Sequence, residues 1–129
     1  MEVHHIGYLV KNIDKSIESF QKLGYEITIP ATWDAGRNAY LCFMRNGGYC
    51  VELIAPAKDS SLYPLLKQYN NAPYHICYKC EHLEDAVAIL KTEKFMPFLE
   101  PAPASVIGKT ARVAFLISAR AGMIELVEE

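Results

Sequence analysis

The chain has 129 residues, of which 51% are hydrophobic and 22% are charged, and its formal net charge is −2. This length suits one compact domain with a core of its own and is too short for two independent domains. A charge this close to zero gives no reason to expect nucleic acid or an anionic membrane as a partner.

No apolar run approaches the length that a bilayer-spanning helix needs. The N-terminal residues 1–5 lack the basic and apolar regions of a signal peptide, so we expect a cytoplasmic protein. Cys77 and Cys80 are three apart in a predicted strand and therefore face opposite sides of it, which argues against a metal-binding or redox pair. We expect all four cysteines to be reduced and structural.

The first half of the chain predicts a strand, a helix and three further strands. After a strand near 3–10, Asn12 or Asp14 is placed to cap a helix that Gly24 ends. The apolar positions of this helix recur at helical spacing, at Ile13, Ile17, Phe20 and Leu23. The three strands are predicted near 25–30, 38–45 and 49–55, and the last two are joined by the hairpin signal Asn46-Gly47-Gly48.

A linker with a short helix around 64–67 leads to a second half that repeats this order. The second half predicts a helix near 83–93 and strands near 74–80, 95–100, 110–117 and 122–128. We therefore divide the chain into module one, about 1–57, a linker helix, about 58–72, and module two, about 73–129. Each module alone would leave a sheet face uncovered, so the two are expected to form one α+β domain of βαβββ repeats.

The repeat carries two histidines and two glutamates in matched positions. His5 opens His-Ile-Gly-Tyr and His75 opens His-Ile-Cys-Tyr, and each motif begins the first strand of its module. Glu52 and Glu125 each lie in the last strand of a module, within Val-Glu-Leu-Ile and Ile-Glu-Leu-Val. A lone histidine on a strand is usually a core or rim residue, and a lone glutamate usually faces solvent. Four such residues in matched positions favour a metal site.

The alternation of side chains along a strand supports this interpretation. In all four strands the immediate neighbours of the candidate ligand are apolar and suited to packing beneath a helix, so the ligand candidates face the opposite side. Two imidazoles and two carboxylates without thiolates suit Zn, Ni, Co, Mn or Fe(II) and disfavour a closed structural zinc site. Four protein ligands leave two positions of an octahedral ion open to substrate oxygens or water. His4 and His82 do not follow the pattern, and we expect both at the surface.

These motifs resemble the vicinal oxygen chelate superfamily, which includes glyoxalase I, methylmalonyl-CoA epimerase, extradiol dioxygenases and antibiotic-binding resistance proteins. The resemblance extends over essentially the whole chain. It implies two βαβββ modules in a cupped mixed sheet around one divalent metal ion, with His5, Glu52, His75 and Glu125 as ligands. It also implies a homodimer, and in some members the metal site is shared between subunits.

Within the superfamily the chain is most similar to the methylmalonyl-CoA epimerases. The linker around Tyr63-Pro64 and the loop Ile107-Gly108-Lys109 resemble theirs, and Asp34 in Asp-Ala-Gly stands where they carry a base. The implied function is an epimerase or isomerase that stabilises an enolate formed from a small acyl-thioester or 2-oxo substrate. Glu125 is the expected catalytic base, because a metal-bound carboxylate can loosen and accept a proton, with Asp34 as the second base.

Three other functions are open to the same fold. Glyoxalase I, or lactoylglutathione lyase, isomerises a hemithioacetal on the same four ligands. It also needs cations for the carboxylates of glutathione, for which Arg37, Arg45 and Arg112 are candidates. A non-catalytic binder of antibiotics typically lacks the ligand set. An extradiol dioxygenase needs only two histidines and one carboxylate, so Glu52 disfavours it. Trp33, next to Asp34 in a predicted loop, is the best candidate for a lid over the substrate.

Overall fold

A computed structural model describes residues 1–129 as eight strands and three helices. The first part of the chain forms β1 (Val3–Leu9), α1 (Ile13–Lys22), β2 (Glu26–Asp34), β3 (Ala39–Asn46), β4 (Tyr49–Pro56) and α2 (Tyr63–Tyr69). The second part forms β5 (Ala72–Lys79), α3 (Leu83–Thr92), β6 (Met96–Pro103), β7 (Arg112–Ser118) and β8 (Gly122–Glu128). The predicted α+β class with two βαβββ modules is confirmed. None of the three helices is long and apolar enough to cross a membrane.

The chain divides into two compact units. The first unit is His5–Tyr74, and the second unit is His75–Glu129 together with Met1–His4. The first four residues belong to the second unit, and the backbone N–H of Lys79 donates to the carbonyl of Glu2 at 2.8 Å. That the two modules act as one domain stays a prediction.

In the first unit the strand order is β2-β3-β4-β1. β1 runs parallel to β4, with Gly7 opposite Glu52, and the other pairs are antiparallel. Helix α1 covers one face of this sheet through a cluster of buried side chains: Val10, Ile17, Cys42, Met44, Val51 and Leu53. Val51 and Leu53 flank Glu52, so the predicted alternation holds and Glu52 lies on the face opposite α1.

The second unit repeats this arrangement with the strand order β5-β8-β7-β6. β5 runs parallel to β8, with Cys77 opposite Glu125. Helix α3 covers one face through a second buried cluster: Leu83, Ala86, Val87, Ala114, Leu116, Ile124 and Leu126. Ile124 and Leu126 flank Glu125 on the covered face, so Glu125 lies on the opposite one.

The outer strands β2 and β6 are longer than the sequence predicted. The sequence pattern predicts ends near residues 30 and 100, but β2 continues to Asp34 and β6 to Pro103. The prolines in these strands are tolerated because an edge strand need not donate every backbone N–H to the ladder. Each strand has two register shifts against its neighbour, starting at Ile27 in β2 and at Pro97 in β6. Trp33 is therefore a strand residue rather than a loop residue, with its ring 5.0 Å from that of Tyr40.

The ends of α1 and α3 show the same repeat in the backbone. Gly24 ends α1 with φ of 100°, and Lys94 stands after α3 with φ of 68°. Both values lie in the left-handed region, which a glycine adopts without a steric penalty. Lys94 occupies the position in module two that corresponds to Gly24, and its left-handed backbone is strained because it carries a side chain.

The cysteines are free thiols, as expected. Burial raises the pKa of Cys42 to about 11, and burial also raises the pKa values of Cys50 and Cys80. These thiols are therefore protonated at neutral pH and poor nucleophiles, which agrees with a structural role.

The two repeated helices offer a matched test of helix capping. Asn12 caps α1, with its side-chain oxygen accepting from the backbone N–H of Lys15 at 3.0 Å, whereas His82 occupies the same position of α3 without such a bond. We expect Asn12→Ala to lower the free energy of unfolding by about 1 kcal/mol. His82→Ala, the control, should change it by less than about half of that. Urea unfolding measures both, and equal effects of the two substitutions would contradict the capping role.

Candidate metal centre

The first unit holds a buried pair of His5 and Glu52. Their side chains are fully buried, and Nε2 of His5 lies 3.3 Å from Oε1 of Glu52. The parallel register of β1 and β4 produces this contact, because Gly7 stands opposite Glu52 and His5 lies two residues before Gly7, on the same face of β1. The ring of Phe43, the residue opposite Glu52 on β3, meets the His5 ring edge-on with centroids 5.2 Å apart.

The second unit holds the corresponding pair of His75 and Glu125. Both side chains are fully buried, and Nε2 of His75 lies 3.1 Å from Oε1 of Glu125. Phe115 stands opposite Glu125 on β7 and meets the His75 ring edge-on at 5.1 Å. The same face carries the apolar side chains of Cys77, Val113 and Val127, so this pair lies in a largely apolar environment.

The distance within each pair fits two neighbouring ligands of a metal ion. Ligand atoms that each lie ~2.1 Å from a divalent ion are about 3.0 to 3.4 Å apart at octahedral or tetrahedral angles. Both observed distances, 3.1 and 3.3 Å, fall in this range. The 3.1 Å distance also suits a hydrogen bond between Nε2 of His75 and Oε1 of Glu125, whose proton a metal ion would displace. The chemistry and spacing of the donor atoms therefore fit a metal ion.

Arg37 links the Glu52 carboxylate to Asp34. Its Nη1 lies 3.5 Å from Oε2 of Glu52, and its Nε lies 3.7 Å from Oδ2 of Asp34. The Arg37 side chain is only 10% exposed. Glu52 thus directs one carboxylate oxygen towards His5 and the other towards a guanidinium group, which stabilises the ionised form of this buried acid.

Two hydrogen bonds hold the loop that carries Arg37. The hydroxyl of Ser60 donates to the carbonyl of Arg37 at 2.6 Å, and the backbone N–H of Gly36 donates to Oδ1 of Asp34 at 3.0 Å. Asp34 lies at the end of β2 with a side chain that is 16% exposed, so it is accessible from the edge of the loop. From the sequence alone, Arg37 is expected only as a cation for glutathione. The spacing of three residues between Asp34 and Arg37 is the feature of the sequence that indicates an ion pair between these two side chains.

Each predicted ligand therefore contacts the other ligand of its own module. The structure pairs His5 with Glu52 and His75 with Glu125, and it joins Asp34 to the first pair through Arg37. His82 is exposed before α3, as predicted. His4 is partly buried and lies 2.8 Å from a carboxylate oxygen of Glu129. That the four ligands share one ion stays a prediction.

Residues 4–115 match the Glyoxalase/Bleomycin resistance protein/Dioxygenase superfamily, the group also called vicinal oxygen chelate proteins. The chain belongs to this superfamily. Its proteins are mostly enzymes and usually bind a divalent metal. No protein of the curated collections matches the chain.

Several solved structures share the fold at low sequence identity. A hypothetical protein from Bacillus halodurans is 22% identical with a TM-score of 0.86, over 99% of this chain and 94% of that one. Methylmalonyl-CoA epimerase from Mycobacterium tuberculosis is 19% identical with a TM-score of 0.83, over 98% of this chain and 87% of that one. A Streptomyces coelicolor methylmalonyl-CoA epimerase variant in complex with 2-nitronate-propionyl-CoA is 18% identical with a TM-score of 0.83, over 100% of this chain and 94% of that one. At these identities the likeness shows the fold alone.

The contact of Arg37 with Glu52 predicts a measurable effect on stability. Arg37→Met keeps much of the side-chain volume but removes a cation beside a fully buried carboxylate. We expect the free energy of unfolding to fall by roughly 2 kcal/mol, the scale of a hydrogen bond to a charged group. Arg45→Met, which removes an exposed cation from β3, is the matched control and should change it by less than about 0.5 kcal/mol. Urea unfolding of the metal-free proteins measures these free energies, and equal losses in the two variants would contradict the account.

Proposed function

We propose that the protein is a metal-dependent epimerase or isomerase acting on a small acyl-thioester or 2-oxo substrate. The observation that carries this proposal is the presence of two buried histidine–glutamate pairs at matched positions of the two modules. Buried carboxylates are rare in proteins without a cation or a catalytic task. The membership of the superfamily and the fold shared with methylmalonyl-CoA epimerases support the reaction class.

His5, Glu52, His75 and Glu125 are the proposed ligands of one divalent ion, with nickel, cobalt, zinc and manganese as candidates. These residue types form a donor group that could hold an ion. When bound, the ion would supply Lewis-acid polarisation of the carbonyl oxygen of the substrate. The two carboxylates balance its charge, so a neutral assembly can remain in an apolar interior.

Glu125 is the proposed catalytic base. Phe115 stands opposite it on β7 and Cys77 opposite it on β5, and both are apolar and fully buried. A carboxylate in such dry surroundings accepts a proton from a carbon acid without competition from water. Glu52 is better suited to a purely ligating role, because Arg37 lies beside its second oxygen and favours the charged form.

Asp34 is the proposed second acid–base group, which would return a proton to the substrate. Its partly exposed position at the end of β2 allows exchange of that proton with solvent. The Gly36 N–H and the Arg37 guanidinium group orient its carboxylate. Arg37 would therefore couple the position of Asp34 to that of the ligand Glu52.

The arginine contacts argue against the glyoxalase I alternative. That reaction requires free cations for the carboxylates of glutathione. Two of the three candidate arginines are engaged, Arg37 by Asp34 and Glu52 and Arg112 by Glu84 and Glu128, and Arg45 remains as an exposed cation on β3. The hydrogen bonds from Arg112 lower the pKa of Glu84, as expected of a carboxylate that is held in its ionised form.

A non-catalytic binder would have no use for two buried histidine–glutamate pairs. The homodimer and the cytoplasmic location stay predictions.

Exchange of hydrogen with solvent tests the proposed reaction directly. We expect metal-loaded protein in deuterated water to incorporate deuterium α to the carbonyl of at least one compound in a panel of acyl-CoA thioesters and 2-oxo acids, beginning with methylmalonyl-CoA. Glu125→Gln should slow that exchange by about 10²- to 10⁴-fold, the usual contribution of a general base. Mass spectrometry of the recovered substrate measures the incorporated deuterium.

Glu26→Gln, which removes an exposed carboxylate from β2, is the control and should exchange at the wild-type rate. No exchange with any carbonyl compound would exclude the proposed reaction. Exchange that Glu125→Gln leaves unchanged would exclude Glu125 as the base. The glyoxalase I reaction would be favoured instead if the protein converted the hemithioacetal of glutathione but incorporated no deuterium into acyl-thioesters.

A further inference from the structure

The first unit contains an open cleft at the ends of β1 and β4, beside helix α2. Its volume is about 540 Å³, and it is lined by Lys11, Pro56, Ala57, Lys58, Tyr63, Leu66, Lys67 and Asn70. Binding sites for small organic molecules have volumes of roughly 300 to 1,000 Å³. None of the lining residues belongs to the two histidine–glutamate pairs or to the Asp34–Arg37 contact, so the cleft is a separate feature of this unit.

Three lysines give the cleft a strong positive character. Lys11, Lys58 and Lys67 come from three different segments of the chain, and no acidic side chain lines the cleft. None of the three ammonium groups forms an ion pair with a carboxylate. Because the whole chain carries a net charge of −2, this concentration of unneutralised cations is a local departure from the average surface. Such a cleft attracts an anion more strongly than isolated surface lysines do.

The remaining walls of the cleft indicate the kind of anion. Among the lining residues, Pro56 and Leu66 are buried and apolar, and Tyr63 is half-buried. Asn70 adds an amide that can donate to an oxygen atom. Lysines bind phosphate as point charges, and apolar and aromatic walls suit the organic part of a ligand. An inorganic ion would leave those walls unused.

We infer that this cleft binds the phosphate groups of a small organic molecule, with Lys11, Lys58 and Lys67 as the cationic contacts. The phosphate-bearing molecule is either a nucleotide or the nucleotide end of a coenzyme A thioester. Only the second possibility rests on the proposed function, since it makes the cleft part of substrate recognition. Phosphate recognition itself requires neither the metal ion nor the epimerase reaction.

Calorimetric titration at low ionic strength tests this inference with four probes: inorganic phosphate, ADP, adenosine 3′,5′-bisphosphate and coenzyme A. We expect at least one of the organic phosphates to bind more tightly than inorganic phosphate and to lose affinity as salt is added. The double variant Lys58→Gln/Lys67→Gln should weaken this binding by about tenfold or more, through loss of two charge-assisted contacts. Lys22→Gln, which removes an exposed cation from α1 outside the cleft, should bind as the wild type does.

The pattern of binding separates the two sources of phosphate. Binding of coenzyme A and adenosine 3′,5′-bisphosphate but not ADP supports the coenzyme, and equal binding of ADP supports nucleotides in general. A His75→Ala variant should bind the same probe with wild-type affinity, so a failure of the proposed reaction leaves this result intact. No binding of any organic phosphate, or equal affinities in the double variant and in Lys22→Gln, would overturn the inference. Circular dichroism spectra of the variants check that the fold is retained.

Discussion

The burial of two carboxylates beside two histidines is the constraint on which the rest of the structure depends. Glu52 and Glu125 have no solvent exposure, and an ionised carboxylate moved out of water loses hydration that must be replaced inside the protein. Each lies within 3.3 Å of a histidine nitrogen, and Glu52 also lies beside Arg37. In the proposed site, one divalent ion would supply the charge that the two carboxylates require. The two buried carboxylates, whose desolvation opposes folding, are therefore the same groups that the proposed chemistry uses.

The βαβββ module positions each pair by strand alternation. Its first and last strands run parallel, so a histidine on one strand and a glutamate on the other reach the same face. The apolar neighbours of both residues turn to the other face, where α1 or α3 covers them. A phenylalanine from the third strand of the module, Phe43 or Phe115, then packs edge-on against the histidine ring. The helix-covered core and the polar pair thus come from one alternating pattern.

The parts of the fold that depend on this alternation could be predicted from the sequence. Residues 5–8 and 75–78 repeat the same motif, and the side on which Glu52 and Glu125 lie follows from their apolar neighbours. The lengths of β2 and β6 could not be predicted, because Pro30 and Pro101 normally end a strand and their tolerance depends on an outer position in the sheet. Trp33 was consequently predicted in a loop. The contact of Arg37 with Glu52 is a tertiary one across the loop after β2, and no local spacing encodes it.

The number of metal ions bound per chain tests the central claim most directly. Metal-free protein titrated with nickel, cobalt, zinc or manganese, and then analysed for its metal content, should hold one ion per chain. That ion should be lost in His5→Ala and equally in His75→Ala, because each variant removes a ligand from the same site, whereas His82→Ala should retain it. Two ions per chain, with each histidine substitution removing only one of them, would show that the pairs bind separately. No bound metal under any of these conditions would contradict the account.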